Sequence, residues 1–411
     1  MTRCHIEGSG NNGFRVKRKS DGSLAWIVTL LFTGVIAAAY AFGVYLFPSL
    51  IPDMRQSLGL NYVEVGQIAG ARQVAFLIMA LASAAVVLRF GAGTVILGST
   101  LLCGVALCGL GLVNNALMAA ALLVVLNACA ASAWIPMVSL VARVVSYQHQ
   151  GKAIGLIASG TNYGLCLNGI LAPALLAAFG WRSVWLAAGT LTLVLSGLVW
   201  WTLARASLLT GATSGPIRSA VRWRVAVERR YLVVFGLAFL GGLAGVPFAN
   251  YLSAYLRDDL HLSVEIAGEC WFATGLAGAL GGVLFGSIGD KAGLRVALVV
   301  ATSLLSASAT ITAFEQTAAP LVFAAGCFGA SFFSIFGLLP AYVGKTTAAD
   351  LTPAICGLVE CSLGFGGALG SFLGGFSPQL LGSFRPLYVS AGLYSGLMIY
   401  LAACLPTERR P

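Results

Sequence analysis

The stretch LAWIVTLLFTGVIAAAYAFGVYLFPSLI, residues 24–51, runs for 28 residues without a charged side chain. A membrane-crossing α-helix needs about 20 predominantly apolar residues, so this stretch is long enough to cross a bilayer. It is too long for the apolar core of a signal peptide, which has about 7–15 residues. We therefore interpret it as an uncleaved first membrane-spanning helix.

The composition of the whole chain extends this interpretation. Hydrophobic residues make up 58% of the 411 residues and charged residues only 9%, and the mean hydropathy is +0.90. Soluble domains have about 25% charged residues. Membrane β-strands would alternate apolar and polar residues over about ten positions, whereas this chain has long unbroken apolar runs. The sequence therefore predicts an all-α polytopic membrane protein.

Eleven further apolar runs bring the predicted number of membrane-spanning helices to twelve. They lie at about 62–87, 94–113, 116–143, 153–178, 183–204, 231–256, 263–288, 295–313, 317–344, 353–380 and 386–404. A polar stretch after the sixth run divides the chain. The predicted organisation is a tail at 1–23, a six-helix bundle at 24–204, a central loop at 205–230, a second six-helix bundle at 231–404 and a tail at 405–411.

The placement of basic residues predicts the orientation. Of the 24 Lys and Arg residues, 19 fall in the tails and in loops on the side of the termini, and 4 fall on the other side. Cytoplasmic loops are enriched in Lys and Arg, so we expect both termini in the cytoplasm and the protein in a plasma membrane, the inner membrane of a bacterium. The same rule accounts for the net charge of +10 without a nucleic-acid partner.

The two predicted bundles are sequence repeats. Shifting the sequence by 202 residues, without gaps, aligns glycines and loop charges across five of the predicted helices. The pairs include Gly43 with Gly245, Arg55 with Arg257, Arg89 with Lys291, Gly91 with Gly293 and Gly180 with Gly382. An even number of helices in each half gives both halves the same orientation, which is the arrangement of parallel repeats.

The loop after the eighth predicted helix reads GSIGDKAGLR, residues 286–295. It resembles the loop signature of the major facilitator superfamily, in which Gly and three residues precede Asp, a basic residue, any residue, Gly, any residue and a basic residue. The matching residues are Gly286, Asp290, Lys291, Gly293 and Arg295. The resemblance extends over the whole chain and implies two pseudo-symmetric six-helix bundles. It also implies that this gating loop latches the cytoplasmic side against the first half near Lys152.

The equivalent loop of the first half departs from the signature. Arg89 and Gly91 remain, but Leu88 stands where the acidic residue is expected. The fifth predicted helix lacks the Gly-Pro pair of many drug exporters. Gly180-Trp181-Arg182, before the sixth predicted helix, resembles the same position in organic-anion and monocarboxylate-like members.

Three acidic or basic residues lie well away from the ends of the predicted helices, where a charge costs about 2.5–3.5 kcal/mol at mid-membrane on insertion scales. Arg72 stays charged and needs a carboxylate partner, either on an anionic substrate or in a protein acid such as Glu269. Glu269 and Glu360 are candidate proton carriers, because a carboxyl group removed from water favours its protonated form. The alternatives are an interfacial position for Glu269 and a bond between Glu360 and a loop residue such as Lys345.

The family resemblance implies that the first, fourth, seventh and tenth helices line the substrate cavity. The substrate-binding candidates there are Tyr40, Tyr45, Asn127, Trp134, Asn250, Tyr251, Phe333 and Phe336, and Asn162 and Tyr163 in the fifth helix are further candidates. Trp134 and Phe336 are repeat equivalents that are expected to flank a substrate symmetrically. The alternative for each aromatic residue is packing or an interfacial belt. Such a cavity suits a small amphipathic solute better than a sugar.

These observations lead to a secondary transporter that moves a small organic anion, together with a proton, by alternating access. The alternatives are efflux of amphipathic drug-like compounds and a membrane receptor built on a transporter fold. An enzyme is not expected, because no serine–histidine or metal-ligand cluster occurs within the predicted helices. The ten cysteines are scattered without a Cys-x-x-Cys pair, so no metal and no cofactor are expected. The expected partners are the lipid bilayer, the substrate and a proton, and the protein is expected to be a monomer.

Overall fold

A computed structural model describes residues 22–209, 228–348 and 351–406 of the chain. Most of the predicted tail 1–23, of the central loop 205–230 and of the tail 405–411 lies outside these described residues. The described chain is helical, and twelve of its helices are long and apolar enough to cross a membrane. The prediction of an all-α protein with twelve membrane-spanning helices is therefore confirmed.

The first half contains six membrane-crossing segments, which we number spans 1 to 6. Span 1 consists of helix Gly22–Ile36, the π-helical segment Ala37–Tyr45 and helix Leu46–Leu58. Spans 2, 3 and 4 are the helices Tyr62–Phe90, Ala92–Leu112 and Ala116–Val144. Span 5 consists of helices Tyr147–Ala158 and Gly160–Phe179, and span 6 is helix Trp181–Arg205.

The second half contains spans 7 to 12. Span 7 is helix Arg229–Ala254, followed by the π-helical turn Tyr255–Asp259. Spans 8, 9 and 10 are the helices Val264–Ala292, Leu294–Phe314 and Ala318–Thr346. Span 11 is helix Thr352–Gly374 with the short helix Ser377–Leu381 after it, and span 12 is helix Arg385–Ala403.

The internal repeat seen in the sequence is also present in the backbone. Spans 2, 3 and 4 begin and end 202 residues before spans 8, 9 and 10. The turn between spans 2 and 3 needs a positive φ at Gly91 (82°), and the turn between spans 8 and 9 needs one at Gly293 (100°). Glycine adopts this conformation without the steric penalty that a Cβ brings. The repeated glycines are therefore explained by the repeated turn geometry.

Each half is a bundle with the same internal packing. Span 2 packs on span 4, and span 3 packs on spans 4 and 6, while the equivalent pairs 8 with 10, 9 with 10 and 9 with 12 pack in the second half. The two bundles meet along three pairs of spans: 2 with 11, 5 with 8, and 1 with 7. Large apolar side chains such as Leu280 and Val283 of span 8 are exposed on the outside of the bundles, as expected for surfaces that face lipid.

Close contacts between the halves extend from the face opposite the described chain ends to the middle of the spans. A Cβ added to Gly169 of span 5 would lie 2.6 Å from the carbonyl oxygen of Gly268 in span 8, and one added to Gly66 of span 2 would lie 3.0 Å from the Cα of Gly375 after span 11. Toward the chain ends, the repeat-equivalent Gly155 and Gly357 have no atom within 4 Å of such a Cβ. Close contacts between the halves are thus present on one face, and Gly155 and Gly357 toward the other face meet none; we call these the closed face and the open face.

Candidate functional site

Two backbone carbonyl groups in the π-helical segment of span 1 accept hydrogen bonds from side chains of neighbouring spans. Pro48 has no N–H, so the carbonyl of Val44, four residues earlier, lacks its usual α-helical donor. The Arg72 guanidinium of span 2 donates to that carbonyl through Nη2. Asn168 of span 5 donates through Nδ2 to the carbonyl of Ala41, at 2.7 Å. Side chains from neighbouring spans thus satisfy carbonyl groups for which lipid offers no partner.

Arg72 is the most buried charged side chain in this region, with 2% of its surface exposed. Its Nε donates to Oδ1 of Asn127 in span 4 at 3.2 Å, and its guanidinium carbon lies 4.9 Å from the centre of the Phe47 ring. Its Nη1 is buried and has no hydrogen-bond partner, and no acidic residue among the described ones forms an ion pair with Arg72. The structure therefore leaves one donor of a buried cation unused.

Aromatic side chains from both halves lie beside this cation. The Tyr45 hydroxyl interacts electrostatically with Arg72, and the Tyr45 ring centre lies 5.8 Å from that of Phe333 in span 10 and 6.2 Å from that of Trp271 in span 8. Tyr45 and Phe333 are half-buried. The structure thus brings together four of the residues proposed from the sequence, Arg72, Asn127, Tyr45 and Phe333.

Glu360 of span 11 lies where the two halves begin to separate. One turn further along the same helix face, Gly364 packs against span 2, and a Cβ added to it would lie 2.4 Å from Cδ2 of Leu77. Glu360 is exposed, and its carboxyl group interacts electrostatically with the Tyr40 hydroxyl of span 1. Glu360 is therefore exposed near the interface, and its charge acts on a side chain of the other half.

Glu269 occupies a different environment from Glu360. It is exposed near the start of span 8, on the helix face that also carries the exposed Leu276, Leu280 and Val283. The spacing of seven, eleven and fourteen residues places all four on one side of an α-helix. No ion pair between Glu269 and Arg72 occurs among the described residues, and an interfacial position for Glu269 stays a prediction.

The other cavity candidates are divided between packing contacts and lining positions. Asn250 donates to Ser371 Oγ at 2.8 Å, and the Tyr251 hydroxyl donates to the Ser371 carbonyl at 2.6 Å, which holds span 7 against span 11. Phe336 packs edge-on against Phe332 at 4.8 Å. Trp134 lies with Met137, Val138, Val141, Ile154 and Ile157 around a small space between spans 4 and 5. None of these contacts brings Trp134 and Phe336 together.

The gating loop lies on the open face. Asp290 and Lys345 of the same half approach to 4.0 Å, and both side chains are exposed. Lys291 is exposed, as is Arg89 in the first-half copy, where its guanidinium lies over the Phe90 ring at 5.5 Å. Gly286 and Arg295 are half-buried, and Gly91 is buried at the turn. In this conformation the acid of the loop is bound to its own half, so its contact near Lys152 stays a prediction.

Two ion pairs that join the halves on the closed face were not predicted. Arg257 at the end of span 7 pairs with Asp53 of span 1 through both Nη atoms, and Arg55 of span 1 pairs with Asp258 at 3.4 Å. The Tyr62 hydroxyl at the start of span 2 donates to the same Asp258 carboxylate. The signal for this network was present in the sequence, because the repeat aligns Arg55 with Arg257 and an acid lies within two residues of each.

Comparison with known proteins places the fold in a known family. A family model described as the Major Facilitator Superfamily matches residues 31–352. Monocarboxylate transporter 11 of Mus musculus is 31% identical over 279 residues, which are 61% of this chain and 58% of the mouse protein. The gallate transporter of Pseudomonas putida is 24% identical over 310 residues, which are 68% of this chain and 69% of that protein. The chain therefore spans less than two thirds of the length of the mouse relative.

Solved structures of low sequence identity share the fold. A crystal structure of the nucleoside transporter NupG covers 93% of this chain and 98% of its own, with a TM-score of 0.71 and 13% identity. A bacterial homolog of the human lysosomal transporter Spinster, in an inward-facing and unoccupied conformation, covers 94% of this chain and 97% of its own, with a TM-score of 0.74 and 13% identity. Twelve spans, repeated halves and a family match over most of the sequence lead to one conclusion: the chain belongs to the Major Facilitator Superfamily, a family of membrane transporters.

Proposed function

We propose that this protein is a secondary active transporter that moves a small organic anion of the monocarboxylate type, with a proton as the coupling ion. The observation that carries the proposal is Arg72, a buried guanidinium with an unpartnered Nη1 and no acidic partner among the described residues. A buried charge that lacks a counter-charge is strongly unfavourable. A substrate carboxylate supplies the missing charge and accepts the unused hydrogen bond.

The surroundings of Arg72 favour a substrate with one carboxylate and an apolar body. Phe47 and Tyr45 are aromatic neighbours of Arg72, Phe333 and Trp271 pack around Tyr45, and Asn127 bonds to the guanidinium. Apolar pockets with few polar groups bind small amphipathic ligands. Similarity to a monocarboxylate transporter and to a gallate transporter, both named for carboxylic acids, supports the same substrate class.

The proposed transport cycle is alternating access, in which the two halves rock about the site between them. The halves are joined by the Asp53–Arg257 and Arg55–Asp258 pairs on the closed face, and Gly155 and Gly357 on the open face lack close contacts. In the opposite state these ion pairs separate, and the gating loop that contains Asp290 latches to the first half. Arg72 lies between the two faces, so each state exposes it to one side.

Glu360 is the proposed proton carrier. It is exposed to the open side and interacts with Tyr40 of the other half, so its charge affects the interface that must close during the cycle. A protonated carboxyl group is easier to remove from water than a carboxylate. We propose that protonation of Glu360 accompanies closure of this side, which gives symport of the proton with the anion.

The proposed setting follows from the distribution of charge. The excess of Lys and Arg on the side of the chain ends supports cytoplasmic termini, and with that orientation the open face is cytoplasmic. The proposed location is the plasma membrane, the inner membrane of a bacterium. The tails 1–23 and 405–411 and the loop 205–230 are then cytoplasmic, and bundles 24–204 and 231–404 form one monomeric transporter.

Uptake into proteoliposomes tests the proposal. Purified protein is reconstituted, a pH gradient is imposed, and accumulation of labelled lactate, pyruvate and benzoate is followed. We expect at least one of these acids to accumulate above its equilibrium level and to leak out when a protonophore is added. Failure of all three to enter, in vesicles where the protein is folded by its thermal unfolding profile, contradicts the anion proposal.

A further inference from the structure

Asn162 is a buried polar side chain to which the proposed transport mechanism has assigned no role. It lies in span 5, just after the break between helices Tyr147–Ala158 and Gly160–Phe179, and it is 7% exposed. Its Oδ1 is buried and makes no hydrogen bond within the described part of the chain. It faces span 8, where a Cβ added to Gly278 would lie 2.5 Å from that oxygen. Asn162 therefore presents an unsatisfied amide to the interface between the halves.

Packing alone does not require an amide at this position. The repeat equivalent of Asn162 is Gly364 in span 11, where the interface is filled by the apolar side chain of Leu77 against the glycine. The other half-to-half contact at this depth is therefore apolar. An unsatisfied amide in an apolar interior is unfavourable compared with a hydrocarbon side chain of the same shape. Asn162 is therefore better explained by a polar group that is absent from this structure.

Asn162 lies at the far end of a row of side chains that begins at Arg72. Tyr45 interacts with Arg72 and packs against Phe333 at 5.8 Å between ring centres. A Cβ added to Gly278 would lie 2.5 Å from Asn162 Oδ1 and 2.9 Å from Cδ2 of Phe333, so these two side chains are close to each other. The row thus has a buried hydrogen-bond donor at one end, two aromatic rings in the middle and an unsatisfied amide at the other end.

We propose that Asn162 binds a hydroxyl group of the substrate, and that the substrate is a hydroxylated aromatic monocarboxylate. The carboxylate binds Nη1 of Arg72, the ring lies with the half-buried rings of Tyr45 and Phe333, and the hydroxyl binds the Asn162 amide. A hydroxyl group both donates and accepts, as the amide does, whereas a methyl group of similar size does neither. This assignment rests on the proposed function, because Arg72 must bind the carboxylate. Arg72 Nη1 and Asn162 Oδ1 are both buried in this conformation. The rings of Tyr45 and Phe333 therefore move aside when the substrate enters.

Three acids of matched shape test this assignment. Benzoate, 4-hydroxybenzoate and 4-methylbenzoate are compared as ligands of the full-length protein in detergent, by calorimetry or by thermal shift. We expect 4-hydroxybenzoate to bind roughly five-fold or more tightly than 4-methylbenzoate, the effect of one net hydrogen bond. Asn162→Leu, which keeps the shape and removes the hydrogen bonds, should abolish this preference and leave benzoate binding within about two-fold. Tyr400→Phe, which removes a hydroxyl group at an exposed position of span 12, should retain it.

Each other outcome overturns the assignment in a distinguishable way. If the wild-type protein binds the hydroxy and methyl acids equally, or if Asn162→Leu keeps the preference, Asn162 does not bind the hydroxyl, although Arg72-dependent benzoate binding would still support the proposed function. If Asn162→Leu weakens all three acids equally, its role is conformational. If the protein binds none of the aromatic acids but transports lactate or pyruvate, the aromatic substrate class is wrong while the anion proposal stands. If Asn162→Leu does not fold, the wild-type comparison alone decides.

Discussion

Arg257 and Asp53 form an ion pair that joins the last turn of span 7 to span 1, and each side chain is 20% exposed. The repeat-equivalent arginine, Arg55, forms the reciprocal pair with Asp258. Each half thus contributes one arginine and one acid to the same closed face. Because the pairs are reciprocal, the closed face opens only when both charge pairs are separated.

Removal of one of these pairs should shift the protein toward the state that is open on this face. A partly exposed ion pair contributes about 0.2–1 kcal/mol, so Asp53→Asn should raise the open population by up to about five-fold. Cys166, which packs beside Gly275 in the closed interface between spans 5 and 8, should then react faster with a maleimide. The rate is measured by mass spectrometry of the Cys166 peptide.

The double variant Asp53→Arg with Arg257→Asp restores the pair and should return the rate toward the wild-type value. An equal rate in all three proteins would mean that the pair does not hold this face closed.

A glycine at a tight backbone contact between the halves should not tolerate a methyl group. A Cβ at Gly169 would lie 2.5 Å from the backbone nitrogen of Phe272, and the backbone cannot move aside as a side chain can. Overpacking of this kind costs about 1–3 kcal/mol, so Gly169→Ala should lower the thermal unfolding midpoint. The control is Gly98→Ala in span 3, where a Cβ meets nothing within 4 Å. That variant should keep or raise the midpoint, because alanine favours a helix by up to about 1 kcal/mol over glycine. A similar midpoint in both variants would contradict close packing of spans 5 and 8.

The two membrane glutamates should respond differently to neutralisation. Glu360→Gln removes the charge of the carboxyl group proposed to carry the proton, which interacts electrostatically with Tyr40, so pH-driven accumulation should be lost. Exchange of internal for external substrate, which needs no net proton movement, should persist within a few-fold. Glu269→Gln, on the exposed face of span 8, should keep both activities. These rates are measured in the same proteoliposomes at two external pH values. Loss of accumulation in Glu269→Gln but not in Glu360→Gln would reverse the assignment.

Most of the fold could be predicted from the sequence, because membrane helices are specified by local composition. The apolar runs predicted twelve spans, and the gapless repeat of the sequence agrees with the matching bounds of helix Tyr62–Phe90 and helix Val264–Ala292. A free backbone polar group is not tolerated in lipid. Few structures other than a helix are therefore compatible with such runs.

The candidate site could be predicted only in part, because it depends on which helix faces meet. The burial of Arg72 and its bond to Asn127 agree with the candidates chosen from the sequence. Glu269 lies on the outward face of span 8, and Glu360 lies near the interface between the halves. Both residues occur within apolar runs, and the sequence alone does not show which side of each helix faces the other half. The role of Pro48 in freeing the Val44 carbonyl also required the π-helical geometry of span 1.

The most direct test of the central claim is substrate exchange by Arg72 variants in proteoliposomes. The substrate is the acid that accumulates in the wild-type protein, and exchange is measured at equal pH on both sides, so that the coupling step is not involved. Arg72→Gln keeps a hydrogen-bonding side chain without the charge, and Arg72→Lys keeps the charge without the planar guanidinium. We expect Arg72→Gln to lower the exchange rate at low substrate concentration by about 100-fold or more, as the loss of a buried charge-assisted bond of about 3 kcal/mol implies. Arg72→Lys should retain partial activity. Exchange by Arg72→Gln at the wild-type rate, with a normal unfolding profile, would contradict the claim that Arg72 binds the anion.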